Sequence, residues 1–159
     1  MSFPVDATAL LEPEPREDIR GERLNDRPFW HVERARVGDS GNDPVELIVN
    51  GQAVARQEIE ADGEVHELEF NYTPDISSWV ALRISPSSHT NPIFVEVDHQ
   101  PIRSSRRSAE WCLQAVDVCW EMKQRKIRDH ERETAAAAFE VARQAYRRIR
   151  DESFDDREK

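Results

Sequence analysis

The chain is poor in glycine, with five in 159 residues. That is too few to build a glycine-rich loop that cradles a phosphate. Histidine is as sparse, and His31, His66, His89, His99 and His130 lie far apart. No HxH, HExxH or CxxC spacing occurs, so no short stretch presents two ligands to one ion. No GxSxG elbow marks a serine nucleophile. The two cysteines are Cys112 and Cys119. On one helix they stand about 10 Å apart along the axis, beyond the roughly 7 Å between α-carbons that a disulfide spans. They are expected as free thiols packed in a core, which suits a reducing compartment. No run of about 18 apolar residues exists to cross a membrane. The opening MSFPVDATALLEP has neither a basic region nor a long apolar stretch, so it does not read as a secretory signal and the expected location is cytoplasmic. Positive charge is also short: 22 Lys and Arg face 32 Asp and Glu, a net charge of −10. That argues against a general nucleic-acid binder and leaves room only for a local basic patch.

What is present is strong local patterning. A chain of this length favours one domain and buries roughly 70% of its unfolded surface, so it folds without a metal or disulfide. VDATALL (5–11) alternates loosely and fits a short strand. EPEPREDIRGERLNDRP follows as a charged, proline-rich connector. FWHVERARV (29–37) alternates large and polar residues and predicts a strand. In VELIVNGQAVARQEI two β-prone runs flank Asn50-Gly51, a pair able to supply the positive φ angles of a type I′ hairpin turn. Asp62-Gly63 marks another turn, after which Leu68, Phe70 and Tyr72 share one strand face. In SSWVALRIS, Val80, Leu82 and Ile84 lie on one side and Trp79, Ala81 and Arg83 on the other. SPSSHTNP (85–92) interrupts, and IFVEV (93–97) resumes the strand pattern.

Beyond Pro101 the period changes from two to about 3.6. Ala109, Cys112, Leu113, Val116, Cys119 and Trp120 recur at helical spacing, with Ser104, Ser105 or Ser108 as the N-cap and Glu110 suited to the first turn. KQRKIRDHE predicts a break. A second helix is expected over 131–152, with Ala135, Phe139, Ala142, Tyr146 and Ile149 forming a narrow seam for an antiparallel partner, most simply the first helix. Strands first and helices after imply an α+β fold: a small antiparallel, immunoglobulin-like β-sandwich followed by a two-helix hairpin. Trp30, Phe70, Trp79 and Phe94 are the expected core anchors. The expected segments are a strand and connector over 1–28, the sandwich over 29–103, the hairpin over 104–152 and a frayed tail over 153–159.

Two clusters carry possible chemistry. In SPSSHTNP the neighbours Ser87, Ser88, His89 and Thr90 offer a hydroxyl and an imidazole. Adjacent positions do not aim at a common point, however, and no third group orients the base. The competing reading is a polar turn whose hydroxyls and Asn91 satisfy backbone amides. In PIRSSRRSAEW, Arg103, Arg106 and Arg107 stand with Ser105 and Ser108 at a helix start, where free N–H groups and guanidinium forks suit a phosphate or carboxylate. The competing reading is that these arginines pair with the abundant carboxylates. Glu58, Glu60, Glu64, Glu67 and Glu69 read as solvated strand edges.

The stretch from residue 77 to 120 resembles the C-terminal region of the CehA/McbA family of metallohydrolases, relatives of carbaryl hydrolase. The resemblance is carried by Trp79 to Arg83 (WVALR), His89 to Pro92 (HTNP), Pro101 to Arg103 (PIR) and Ser105 to Cys112 (SRRSAEWC). RPFWHVERARVGDS and VELIVNGQAVARQEI resemble the family's preceding strands, so the likeness runs from about Ala7 to Ser153. It implies a tail module without the family's metal-binding catalytic domain, arising as a separate module or a shortened version of the larger enzyme. On that basis no metal ligand and no catalytic residue is assigned, and a divalent cation is expected only in a catalytic domain outside this chain. Arg83, Ser88, His89, Thr90 and Asn91 become candidates for docking or for lining a partner's cleft, alongside the arginines of the helix start. The expected partners are a metallohydrolase domain or a second copy of the chain, with no nucleic acid and no membrane. The alternatives are an independent anion- or carbohydrate-binding sandwich using Arg103, Ser105, Arg106, Arg107 and Ser108, and a self-contained hydrolase using Ser88 and His89.

Overall fold

The computed structural model describes residues 1–16, 23, 34–36, 38–85 and 88–154. Seven strands and two α-helices lie among them: β1 (Ser2–Ala7), β2 (Asn42–Val49), β3 (Gln52–Glu60), β4 (His66–Asn71), β5 (Ser78–Ile84), β6 (Ser88–His89), β7 (Ile93–Val95), α1 (Arg106–Lys123) and α2 (Arg132–Glu152). The fold is therefore α+β with antiparallel sheets, as the order of patterns predicts. The chain divides into two units, Met1–Asp75 with Trp79–Val97, and Ile76–Ser78 with Asp98–Lys159.

The first unit holds the sheets. One has the order β3-β2-β5-β6, with β7 also paired to β5; the other is the antiparallel pair β1-β4. The β2–β3 hairpin turns at Asn50 and Gly51, with φ of 49° and 87°. Two consecutive left-handed residues give the turn a twist that matches its flanking strands. Alternation then decides the faces. Val45, Leu47 and Val49 of β2 meet Val80 and Leu82 of β5, Ile59 of β3, Phe3 and Ala7 of β1 and Phe70 of β4 in one buried cluster. Leu68 and Tyr72 pack against it, as their shared face with Phe70 requires.

Several details differ from the sequence expectations. The first strand is Ser2–Ala7 rather than 5–11, and it accommodates Pro4. β1 pairs only with β4 among the described residues, so the missing proline N–H falls on an unpaired edge. Pro44 is tolerated for a related reason. Along β2 the pairing with β5 spans Val45 through Val49, so Pro44 is paired to β3 alone. Phe94 is not a core anchor but is 68% exposed on the short outer strand β7. Trp79 lies on the opposite face from Val80 and Leu82 and is half-buried. A β-carbon at Gly51 would come within 3.9 Å of its ring, which places the indole over the hairpin turn. Trp30, and the strand expected over 29–37 apart from Arg34, Ala35 and Arg36, lie outside the described residues.

The second unit is an antiparallel helical hairpin. Ser105 is the N-cap of α1: its Oγ accepts a hydrogen bond from the Ser108 N–H at 3.0 Å. Glu110 falls beyond the first turn, which holds no acidic residue. Ala109 and Leu113 are buried, while Cys112, Val116, Cys119 and Trp120 are half-buried on the same side. The Trp120 and Phe139 rings meet with centroids 5.0 Å apart. Charged pairs fix the antiparallel sense. Glu110 near the start of α1 meets Arg150 near the end of α2 at 3.3 Å, and Asp117 meets Arg143 at 2.6 Å. Both cysteines are free. Between the helices the chain makes two short 3₁₀ turns, Gln124–Lys126 and Asp129–Glu131, where KQRKIRDHE predicts the break. Ser153 and Phe154 are not frayed. The Ser153 hydroxyl donates to the Ile149 carbonyl at 2.6 Å, and the Phe154 N–H donates to the Arg103 carbonyl at 3.1 Å.

Candidate functional site

Within the polar stretch, Ser88 and His89 pair antiparallel with the end of β5. Arg83 lies opposite His89, and Ile84 opposite Ser88. Thr90 fastens the return: its N–H donates to the Leu82 carbonyl at 2.9 Å, and its Oγ accepts from the Leu82 N–H at 3.1 Å. The Thr90 hydroxyl therefore does the work of a backbone acceptor in the ladder. His89 Nδ1 lies 3.0 Å from the Thr90 carbonyl. A carbonyl only accepts, so this nitrogen carries a proton and Nε2 is the ring position turned to other partners. Ser88, His89, Thr90 and Asn91 are all exposed.

Strand alternation sends the Ser88 and His89 side chains to opposite faces. They do not form a nucleophile–base pair in this arrangement. His89 instead joins a row that crosses the sheet. Strand register places Arg56 of β3 opposite Glu46 of β2, Glu46 opposite Arg83 of β5, and Arg83 opposite His89 of β6. All four positions fall on the face away from the buried cluster. Arg83 binds Glu46 through two nitrogens, Nε at 3.0 Å and Nη2 at 2.6 Å. Arg56 holds Glu58 at 2.6 Å. The docking candidates Arg83 and His89 are thus brought together, and Glu46 and Arg56 complete a polar row across the sheet. Sequence reasoning missed those two. Their only signal is position within a period-two pattern, and the partners are 37 residues apart in the chain for Glu46 and Arg83.

At the helix start several donors are used within the chain. The Arg106 N–H donates to the Phe154 carbonyl at 3.1 Å, and the Ser108 N–H to Ser105 Oγ. Ser105 Oγ in turn donates to Ser108 Oγ at 2.9 Å. The Arg103 guanidinium binds Glu152 at 2.8 Å through Nε and the Ile102 carbonyl at 2.9 Å through Nη1. Asp151 has its carboxyl held below the usual range, first by its hydrogen bond from Arg150 and in smaller part by the charge of Arg106. Arg103 and the Arg106 main chain thus serve the closure of the helical hairpin, Ser105 and Ser108 cap α1, and Arg107 is exposed beside them. Replacing Ser105 with alanine is expected to cost about 1 kcal/mol of stability through the lost cap. Replacement with glycine should cost only a few tenths. Chemical denaturation of the two variants measures the difference.

A carboxylate and an imidazole also meet in the turn before β4. Asp62 accepts from the Glu64 N–H at 2.9 Å and lies 3.1 Å from His66 Nε2. The backbone bond first, and then His66, hold the Asp62 carboxyl below its ordinary range. This pair shapes the turn at Gly63, where φ is 86°. Among the described residues, no group of three or more His, Cys, Asp or Glu side chains is arranged to hold a metal ion. No described helix is long and apolar enough to cross a membrane. No family model, no curated protein and no solved structure matches the chain.

Proposed function

We propose that the chain is a non-catalytic module of a CehA/McbA-type, metal-dependent hydrolase, and that it packs on a metallohydrolase domain or on a second copy of itself. One observation carries the reading. Residues of two resembling motifs, Arg83 of WVALR and His89 of HTNP, lie opposite one another on a single sheet face. Their bonds there are to Glu46 and to the Thr90 carbonyl. Among the described residues, neither is bonded to a side-chain hydroxyl or thiol. A row of charged and polar side chains on a sheet suits recognition, where it sets partner choice and orientation more than raw affinity. The sandwich is proposed to be immunoglobulin-like in its wiring. In support, the chain passes from the larger sheet at β3 to the smaller at β4 and returns at β5. The two free thiols suit a reducing, cytoplasmic setting.

The proposed role has a direct test. The purified chain is incubated with ester and amide substrates in the presence of zinc or manganese, and separately titrated with a CehA/McbA-type metallohydrolase domain. No metal-dependent turnover is expected. Binding to the domain is expected, weakened about tenfold by Arg83→Ala through loss of the Glu46 pairing and of contact at the row. Turnover abolished by His89→Ala would overturn the reading in favour of a self-contained hydrolase. The anion-binding alternative is tested by phosphate titration of wild type and Arg107→Ala. Binding lost in the variant would favour it.

A further inference from the structure

The seam between α1 and α2 has two unlike rims. On one, Asp117 meets Arg143 at 2.6 Å and Glu110 meets Arg150 at 3.3 Å. Ala115 and Cys119 stand about 160° around α1 from Asp117. There the seam opens as an apolar groove, lined by these two residues and by Ala138 and Ala142 of α2. Small side chains on that floor let another helix approach closely. The apolar surface continues onto the outer face of α1, where Trp111, Val118 and Met122 are 69%, 55% and 70% exposed. Their steps of seven and four residues align them along about 16 Å, roughly three turns. Three large apolar side chains aligned beside a groove are not the scattered exposure of an ordinary surface. Together they make the receiving half of helix-in-groove recognition.

Charge identifies the occupant. Lys123 and Lys126 wall the end of the stripe, and Arg125 lies beside them in the 3₁₀ turn. All three are exposed. The chain has 32 Asp and Glu against 22 Lys and Arg, and the arginines of the opposite rim are matched with carboxylates. Among the described residues, none of Lys123, Arg125 and Lys126 is in an ion pair. The negative end of the α1 dipole draws cations toward its last turn, and here two of them also wall the groove. Glu121 falls on the other flank of α1 by helical spacing. A second copy fits this patch badly. Laid antiparallel along the stripe, it would set Arg107 against Lys126; laid parallel, it would set each lysine against itself. A carboxylate-bearing helix meets the same cations with opposite charge. We propose that this rim of the hairpin docks an amphipathic helix of a partner protein, apolar along one face and acidic at the end that reaches Lys123, Arg125 and Lys126, to complete a three-helix bundle. The proposal concerns a surface other than the Arg83–His89 row and holds whether or not the partner is a metallohydrolase.

The probe is a labelled three-heptad helical peptide with leucine and alanine along one face and glutamate clustered at one end. Its twin carries lysine in place of every glutamate. Fluorescence anisotropy reads the binding of each to the full chain. The acidic peptide is expected to bind saturably, more weakly as salt rises, and the basic twin at least about tenfold more weakly. Val118→Glu sets a carboxylate without a partner in the contact and is expected to weaken the acidic peptide at least about tenfold. Val118 is exposed in the free chain, so circular dichroism and the thermal midpoint should not change. Lys123→Glu with Lys126→Glu changes only exposed positions and should reverse the preference, so that the basic twin binds the more tightly. No saturable binding of the acidic peptide, equal binding of the two peptides, or a preference unmoved by the double charge reversal overturns the proposal. Sedimentation velocity of the chain alone covers the remaining occupant: a dimer that Val118→Glu abolishes would give the face to a second copy and overturn the proposal as well.

Discussion

Replacing Leu47 with alanine is expected to destabilise the fold by about 3 kcal/mol, the middle of the range for truncating a buried leucine. Leu47 has no exposed surface. It sits on β2, which is flanked by β3 on one side and β5 on the other, opposite Ala55 and Leu82. Both neighbours are held by ladder hydrogen bonds, so the strands cannot close over the space left behind. The cost therefore includes a residual cavity as well as the lost transfer of the side chain. Leu47→Ile keeps the volume and should cost less than about 1.5 kcal/mol. Phe94→Ala removes more atoms but from an exposed site, and should stay within about 0.5 kcal/mol. Urea unfolding followed by circular dichroism measures all three. Equal losses for Leu47→Ala and Phe94→Ala would contradict the assignment of the buried face.

Asn50→Ala is expected to cost about 2 kcal/mol, from two separable causes. Asn50 has a φ of 49°, which alanine adopts with strain and asparagine tolerates. Its side-chain oxygen also accepts from the Trp79 N–H at 3.1 Å, and its own N–H donates to the Trp79 carbonyl at 3.0 Å. The turn residue thus ties the β2–β3 hairpin to the start of β5. Asn50→Gly relieves the backbone strain but loses the side-chain acceptor. Asn50→Asp keeps an acceptor and much of the tolerance. The expected order of stability is wild type, then aspartate, then glycine, then alanine. Alanine as stable as aspartate would show that the tie to Trp79 contributes nothing.

Local chemistry made part of this fold legible. Asn50-Gly51 announces its own turn, because few other pairs accept two positive φ angles. The seams of α1 and α2 are legible because a 3.6-residue period over many turns has no other explanation. Alternation along β5 separated Val80 and Leu82 from Trp79 and Arg83 correctly. It did not say which face is buried, and large aromatic residues invited the wrong answer for Trp79 and Phe94. The loose alternation of VDATALL points to a first strand at 5–11, but β1 is Ser2–Ala7, where an unpaired edge tolerates Pro4. The row Arg56, Glu46, Arg83 and His89 was not legible. It depends on the register of four strands, including a bulge between Leu47 and Ile48, and register is a property of pairing rather than of any one segment. The helix start was legible as a cluster of arginine and serine. Its engagement by Phe154 was hidden, because the closing residue lies at the far end of the second helix.

That closing residue has a consequence for how the hairpin comes apart. The Phe154 amide and carbonyl each form one main-chain bond to the segment leading into α1, so the two ends of the helix pair are latched where fraying would otherwise begin. Opening at that end must break both bonds together with the Arg103–Glu152 pair, which makes release of the latch a concerted event. Amide deuteration should therefore proceed at matched rates for Arg106 and Phe154, slower than for other positions as close to a helix terminus.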